Sequence, residues 1–469
     1  MIFQPTNLVK KDGAFVFSKE ICATANSSIN KDVLKEFWYN YSCHASTLEV
    51  KEIKDYAFII GNAKPLALDD AEYTINIEEG GIAINAKDEK TLLAGFMTLL
   101  DRFDPIDDNE ELAIKIECAE IRDSALIKNR MAHFCIFPET ELWELQKFLR
   151  LCAALKFTHV VIEFWGMLKF DCMRELGWKE AYSKDELRPI INEARDLGLE
   201  IVPMFNHWGH ASLSREMHGK HVVLDQNISL VSYFSKNGWC WAIEKKKVRE
   251  LLRLAREELI ELCGEGKYFH IGCDEAHGFN YSKEECDFIT EYINEISAEL
   301  NKKGRRAIAW GDMFIHRHES YNKGNLYTCN APTPEDEKYM LGRLDRSIII
   351  ADWQYDAVIP PVETCVTLKN AGFDVLLCHR DKSAKVVEVG VQTIKSEELF
   401  GFMQTTWHTL SRGMRFIPYI AIGAYEDIST GEKNSSYTAA YVMRRVYNAN
   451  GDYEKSGWAK KQIDDITNV

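Results

Sequence analysis

The sequence predicts an α/β protein in which a (β/α)8 barrel, the TIM-barrel fold, follows a small α+β domain. From about residue 119, eight apolar strand-like segments alternate with segments that have helical spacing, and polar and aromatic residues gather at the ends of the strand-like segments. Eight strands separated mostly by helices predict a closed parallel barrel, which places its catalytic groups at the C-terminal strand ends. The chain of 469 residues also leaves room for a second domain beside such a barrel.

Residues 1–118 are assigned to the α+β domain. Tyr73–Ile77 and Gly80–Asn85 alternate in polarity and are joined by glycines, as in a β-hairpin. Thr91–Arg102 then carries apolar residues at helical spacing. Because nothing in this domain suggests chemistry, we expect it to have a structural role.

Residues 119–469 are assigned to the barrel and its C-terminal helices. Ser282 and Asp185 stand where helix N-caps are expected, and Gly198 and Gly372 where helices end. The predicted strands are Asn129–Cys135, Thr158–Phe164, Glu200–Asn206, Tyr268–Glu275, Ala307–Asp312, Ser347–Trp353, Asp374–His379 and Gly401–Trp407. The predicted helices are Thr140–Leu155, Lys184–Leu197, Lys246–Cys263, Lys283–Leu300, Pro361–Ala371 and Lys382–Lys395, with helix-like runs at Phe416–Tyr425 and Tyr437–Val446.

Composition excludes several classes of partner. The net charge of −15 and the pI near 5.5 argue against nucleic acid and anionic membranes. The sequence contains no apolar run of 18 or more residues. The N-terminal residues have no basic segment leading into an apolar core, and the 13 cysteines include no Cys-x-x-Cys pair. We therefore expect no signal peptide, reduced thiols and a cytoplasmic location.

The segment Lys267–Ala276 is the most informative part of the chain. It is a short, mostly apolar strand that ends in two adjacent carboxylates, Asp274 and Glu275. Burying a carboxylate is costly unless hydrogen-bond donors surround it, so such pairs are more typical of active sites than of plain loops. Neighbouring strand residues point to opposite faces, but at a strand end both side chains can reach one pocket. The sequence therefore predicts an acid pair with two different roles.

His270–Glu275 resembles the His-x-Gly-Gly-Asp-Glu signature of glycoside hydrolase family 20, the β-N-acetylhexosaminidases, with Cys273 in place of the second glycine. The small N-terminal domain before a barrel is also similar to this family. The resemblance implies a retaining exo-hydrolase of terminal β-linked GlcNAc or GalNAc. In that family the substrate's own acetamido oxygen attacks the anomeric carbon. By resemblance, Asp274 orients the acetamido group, and Glu275 protonates the leaving oxygen and then activates water, without a metal or organic cofactor.

The resemblance also implies a set of substrate-binding residues. Pro203, Gly209 and His210 resemble part of the family's Pro-Glu-x-Asp-x-Pro-Gly-His segment, although Asn206 and Trp208 depart from it. His210 is expected to contact the acid pair or the sugar, and Tyr355 to donate to the acetamido carbonyl. Three tryptophans at strand ends are expected to wall the sugar. Arg130 is expected to bind ring hydroxyls of the sugar. The full substrate-binding set is Arg130, His210, His270, Trp310, Trp353, Tyr355 and Trp407.

One family feature is missing from this sequence. The family commonly has Trp-x-Glu after the last strand, whose glutamate binds sugar hydroxyls, but here the sequence is Trp407-His408-Thr409. Glu163 is a candidate replacement. The preference between glucosamine and galactosamine configuration therefore stays open.

Two other functions are compatible with the sequence. A metal-dependent barrel hydrolase could draw ligands from His133, His207, His210, His270 and Asp274, but it would want a His-x-His on the first strand. A catalytically silent sugar-binding barrel would have no need of the acid pair. An acetylglucosaminidase of another family with an Asp-Asp pair is disfavoured by the glutamate in second position. The expected partner is an oligosaccharide with a terminal N-acetylhexosamine, and a homodimer is compatible with this assignment.

Overall fold

The computed structural model describes residues 2–26, 30–53, 57–108, 111–212, 228–236, 238–380, 383–407, 417–426, 428 and 435–447. Over these residues, a mixed sheet with two helices precedes a closed parallel barrel. Among the described helices, none has both the length and the apolar character that crossing a bilayer requires.

The N-terminal domain is an eight-stranded sheet covered by helices. The sheet order is β1-β8-β5-β6-β4-β2-β3, with β7 paired to β8. The hairpin expected between residues 73 and 85 is present, with Tyr73 opposite Ala86. The elements are β1 (Asn7–Phe17), β2 (Glu20–Asn26), α1 (Lys31–Tyr41), β3 (Thr47–Ile53), β4 (Ala57–Gly61), β5 (Tyr73–Glu78), β6 (Gly81–Ala86), α2 (Glu89–Leu100), β7 (Asp104–Asp108) and β8 (Glu111–Asp123).

The boundary between the two domains lies later than the sequence indicated. Residue 118 falls inside β8, which continues to Asp123 and pairs with both β1 and β5. The strand continues because buried residues still alternate beyond 118, at Ala119, Ile121 and Asp123. The N-terminal sheet therefore ends at Asp123, and the barrel begins at Asn129.

The barrel consists of the eight predicted strands in sequence order. They are β9 (Asn129–Cys135), β10 (His159–Glu163), β11 (Glu200–Met204), β12 (Tyr268–Gly272), β13 (Arg306–Trp310), β14 (Ile349–Trp353), β15 (Asp374–His379) and β16 (Gly401–Gln404). Each pairs in parallel with the next, and β16 closes on β9. Most of the strands are shorter than predicted, and five of them end earlier because the chain turns into a loop at the C-terminal end.

Helices pack around the barrel. Ser282 caps α6 as predicted, but α4 is capped by Ser183, which accepts from the Glu186 amide, while Asp185 lies in the first turn. Helix α7 was not predicted; it is short, with Thr333 as its N-cap and Pro334 as its first residue. The helices are α3 (Leu142–Ala154), α4 (Lys184–Asp196), α5 (Lys246–Cys263), α6 (Lys283–Asn301), α7 (Pro334–Arg343), α8 (Glu363–Asn370), α9 (Ala384–Ser396), α10 (Ile417–Gly423) and α11 (Ser435–Val446).

The barrel interior is filled in layers rather than open. Met131, Val161 and Tyr268 belong to the apolar cluster within it. Two residues further along the same strands stand His133, Glu163 and His270, all fully buried. Because side chains alternate along a strand, these polar residues share the inward face of the apolar ones. A polar layer therefore lies toward the C-terminal end of the barrel.

Candidate active site

The acid pair lies where β12 leaves the barrel. Gly272, Cys273 and Glu275 have φ values of 69°, 77° and 46°, so the chain leaves the strand through left-handed conformations. The pairing with β13 is also irregular between His270 and Gly272. This geometry breaks the strand's alternation, so Asp274 and Glu275 turn toward the same space.

His210 joins the two carboxylates. Its Nδ1 lies 3.0 Å from Asp274 Oδ2 and 3.2 Å from Glu275 Oε2. The ring stacks on the Trp239 indole, with 4.6 Å between ring centroids and 9° between ring planes. Trp239 Nε1 in turn donates to the Glu275 carbonyl over 2.6 Å. The predicted contact between His210 and the acid pair is thus present, while Trp239 was not predicted.

The two carboxylates differ in their surroundings. Asp274 is buried, and its Oδ1 accepts from Asn206 Nδ2 over 2.9 Å. The Glu275 side chain is 30% exposed. Asp274 is thus held in place by two neighbours, whereas Glu275 is partly open to solvent.

Two glycines allow the loops after β11 and β12 to touch. A Cβ on Gly272 would lie 2.0 Å from Asn206 Oδ1, and a Cβ on Gly209 would lie 2.2 Å from the Asp274 carbonyl oxygen. Neither position has room for a side chain. Asn206, which replaces an expected aspartate, can therefore reach Asp274 directly and donate to it.

Asp312, just after β13, connects the acid pair to the aromatic residues. Its Oδ2 accepts from the Glu275 amide over 2.9 Å and from Asn330 Nδ2 over 2.8 Å. Its Oδ1 accepts from Trp353 Nε1 over 3.0 Å. Complete burial, and then the nearby charge of Asp274, raise the pKa of Asp312 to about 7. Asp352 on β14 does not join this network and accepts a hydrogen bond from Thr364 on α8.

The predicted aromatic residues come together at the C-terminal end of the barrel. Trp407 Nε1 donates to Tyr355 Oη over 2.7 Å, and the Tyr355 and Trp353 rings are 5.3 Å apart. Trp310 lies deeper, with its ring centroid 5.8 Å from that of Trp407. The fully buried His270 packs against Trp310, with 4.5 Å between ring centroids. Trp353, Tyr355 and Trp407 are the partly exposed members of this group.

Arg130 does not belong to the site, so its predicted role is wrong. It stands near the start of β9, whereas the site lies at the strand ends. Its guanidinium donates to the carbonyls of Lys156 and Ile127 over 2.8 Å each, and it lies over the Tyr425 ring. These contacts hold the N-terminal end of the barrel together.

The ligand set considered for a metal hydrolase is not assembled. His207 lies outside the barrel, where its Nε2 is 2.9 Å from Arg256 Nη1. Within the described residues, metal-ligating groups gather in two places, each a set of three: His210 with the acid pair, and His133 with Cys135 and Glu163. Positions 408 and 409, where the expected glutamate is missing, lie outside the described residues.

Residues 168–383 match the family model described as glycosyl hydrolase family 20, catalytic domain. The structure is similar over 99% of this chain, and 72% of the other, to a chitobiase of Flavobacterium johnsoniae, with 16% identity and a TM-score of 0.65. It is also similar to an exo-β-N-acetylglucosaminidase of Vibrio harveyi in complex with N-acetylglucosamine. That match has 15% identity and a TM-score of 0.64, and it covers 94% of this chain and 76% of the other.

A curated relative adds a sequence match of wider span. A lacto-N-biosidase of Bifidobacterium bifidum is 20% identical in an alignment of 291 positions that covers 58% of this chain and 25% of the relative. The chain thus spans about a quarter of that relative's length.

Proposed function

We propose that this chain, a glycoside hydrolase carrying the family 20 catalytic domain, is a retaining exo-β-N-acetylhexosaminidase that acts by substrate assistance. One observation carries the proposal. Asp274 is buried and fixed by Asn206 and His210, while its neighbour Glu275 is accessible. A substrate-assisted reaction needs this pairing of a fixed negative charge with a mobile proton donor.

In the proposed first step, the acetamido oxygen of the substrate attacks the anomeric carbon as the glycosidic C–O bond breaks. Asp274 accepts a hydrogen bond from the acetamido N–H and balances the positive charge of the oxazolinium that forms. Glu275 gives its proton to the leaving oxygen. In the second step Glu275 takes a proton from a water molecule, and the water oxygen attacks the anomeric carbon. The bond from that carbon to the acetamido oxygen breaks, which opens the oxazolinium ring with net retention of the anomeric configuration.

The aromatic residues support the reaction by shaping the space around the substrate. Trp353 and Trp407 are both held through their indole N–H groups, by Asp312 and Tyr355 respectively. Fixed apolar walls exclude water and keep the acetamido group in position for attack. The N-acetylglucosamine complex of the Vibrio harveyi relative supports an N-acetylhexosamine as the sugar bound here.

The first test measures release of p-nitrophenol from its β-N-acetylglucosaminide, β-N-acetylgalactosaminide and β-glucoside. We expect turnover of one or both acetamido sugars and none of the glucoside. Replacing the N-acetyl group by N-trifluoroacetyl should slow the reaction strongly, because the amide oxygen becomes a weaker nucleophile. Equal rates with both N-acyl groups would exclude substrate assistance.

Variants of the acid pair test the separate roles. Glu275→Gln should lower kcat by about 10² or more for substrates with poor leaving groups, as expected when a general acid is removed. The loss should shrink as the leaving group becomes a better one. Asp274→Asn should be impaired with every leaving group, because the oxazolinium charge is no longer balanced. Glu250→Gln on the exposed face of α5 is the control, and it should behave like the unmodified enzyme.

A further inference from the structure

We propose that His133, Cys135 and Glu163 form a zinc-binding site in the mouth of the barrel. His133 and Cys135 lie two residues apart on the same face at the end of β9, and Glu163 ends β10 directly opposite Cys135 in the parallel register. All three side chains are buried. Three different metal-ligating groups therefore converge on one point within the barrel, and the acid–base steps proposed above use none of them. Glu163, the candidate replacement for the missing glutamate, contacts His133 and Cys135.

The separations of the ligand atoms match those around a tetrahedral zinc ion. His133 Nε2 lies 3.4 Å from Glu163 Oε2, and Cys135 Sγ lies 3.7 Å from the same histidine nitrogen and 3.6 Å from the same carboxylate oxygen. Zinc bond lengths of about 2.0–2.3 Å at tetrahedral angles place nitrogen and oxygen about 3.3 Å apart, and sulfur about 3.5–3.6 Å from each. All three observed edges are within about 0.2 Å of these values.

The distance between His133 and Glu163 fits a metal-free hydrogen-bonded cluster less well than a metal site. A charge-assisted hydrogen bond between imidazolium and carboxylate is normally about 2.7–2.9 Å long, and burial favours the short distance. The observed separation of 3.4 Å between His133 and Glu163 is longer than that. An ion between the two groups accounts for the spacing, because each ligand then bonds to the metal and not to the other ligand.

The chemistry of the donors selects zinc over the hard cations. Magnesium and calcium prefer oxygen ligands, whereas a thiolate and an imidazole together suit zinc. Among the described residues, no fourth histidine, cysteine or acid joins the set. Three protein ligands leave one coordination position for water or another oxygen, which is the usual arrangement when zinc also meets a substrate.

The position of the site connects it to the sugar pocket. The His133 ring packs 4.5 Å from the Trp407 ring, centroid to centroid. A zinc ion held by His133 would therefore lie next to Trp407, with its fourth coordination position available to a water or a hydroxyl. Zinc binding at these three residues requires only this geometry and does not depend on the proposed hydrolase activity.

The test measures zinc content and the spectrum of the cobalt-substituted full-length protein. We expect one zinc per chain after exchange into zinc-containing buffer, and a thiolate-to-cobalt charge-transfer band with Co²⁺. Cys135→Ser should remove the band, and both Cys135→Ser and Glu163→Gln should weaken zinc binding at least about tenfold. Cys378→Ser, which changes another buried barrel cysteine, is the matched control and should keep both signals.

Two results would overturn the proposal. One is folded, unmodified protein that holds no stoichiometric zinc, shows no charge-transfer band and unfolds at the same temperature with and without zinc. The other is zinc binding that survives in Cys135→Ser but is lost in His210→Ala, which would place the ion at the acid pair. Because the spectrum of the unmodified protein is decisive, the test holds even if a variant does not fold.

Discussion

At the scale of single residues, Asp312 connects the acid pair to Trp353 through hydrogen bonds. It accepts hydrogen bonds from the backbone of Glu275 and from the indole of Trp353, so a change at this carboxylate affects both sides of the pocket. Such a buried acid next to another acid is poorly solvated as an anion. Its raised pKa is therefore a measurable consequence of the arrangement.

We predict that Asp312 makes stability depend on pH in the range from its ordinary pKa of 3.8 to its folded pKa of about 7. In this range the folded protein holds a proton that the unfolded chain releases, so the free energy of unfolding falls as pH rises and is lowest above the folded pKa. The slope cannot exceed about 1.4 kcal/mol per pH unit for one proton. Thermal unfolding of Asp312→Asn across this range should show a flatter curve.

The control for this prediction is Asp185→Asn, which removes an exposed acid from the first turn of α4. Its curve should keep the slope of the unmodified protein. If Asp312→Asn and the unmodified protein had the same pH dependence, the raised pKa of Asp312 would be contradicted. Activity measured on the same samples would show whether the altered hydrogen bonds also disturb the acid pair.

At the scale of elements, the local sequence pattern was enough to predict the strands, but it could not predict which side chains from distant segments meet at the site. All eight barrel strands were predicted because buried parallel strands are short apolar runs between helices. Asn129–Cys135 and Asp374–His379 even have the predicted ends. Trp239 could not be placed, because its stacking on His210 depends on how the long segment between β11 and α5 returns to the site.

The error at Arg130 could have been avoided from the sequence. The predicted strand already placed this residue near its start, and the chain advances about 3.3 Å per residue along a strand. Cys135 stands five positions after Arg130, so the arginine lies about 16 Å from the catalytic end. The family resemblance placed Arg130 in the site, whereas the position of active sites at the C-terminal strand ends of barrels argued against it. The structure agrees with the second expectation.

The end of β12 provides a second prediction, on the backbone of the acid pair. Gly272 has a φ of 69°, and a Cβ there would meet Asn206. Gly272→Ala should therefore destabilise the protein by more than about 2 kcal/mol and lower kcat at least about tenfold, because Asn206 must move away from Asp274. Urea unfolding and steady-state kinetics measure both effects.

Gly304→Ala is a matched control for this change. Gly304 has a similar φ of 72°, but a Cβ there would meet no atom within 4 Å. It should cost only the left-handed conformation of alanine, about 1–2 kcal/mol, and leave kcat unchanged. Equal effects of the two substitutions would show that the contact with Asn206 is unimportant.

At the scale of the whole molecule, a buried lysine joins the two domains. Lys156, after α3 of the barrel, donates to Tyr73 Oη over 3.0 Å and lies 3.7 Å from Asp123 Oδ2, both in the N-terminal sheet. Its ammonium also lies 4.3 Å from the ring centroid of Phe3 and 4.4 Å from that of Tyr425. Burial lowers the pKa of Lys156 to about 8, against the attraction of Asp123. The N-terminal domain is therefore tied to the barrel by a desolvated charge pair and its aromatic neighbours.

We predict that Lys156→Met destabilises the whole protein by about 3 kcal/mol, because Asp123 is left as a buried charge without its cation. Asp123→Asn should recover part of this loss when combined with Lys156→Met, which gives a coupling energy in a double-mutant cycle. Lys147→Met, at a second buried lysine of α3 that packs against Trp143 and Tyr447, should be less costly and uncoupled to Asp123. Urea unfolding followed by tryptophan fluorescence measures all of these variants. Strictly additive effects of Lys156→Met and Asp123→Asn would show that the charge pair does not stabilise the contact between the domains.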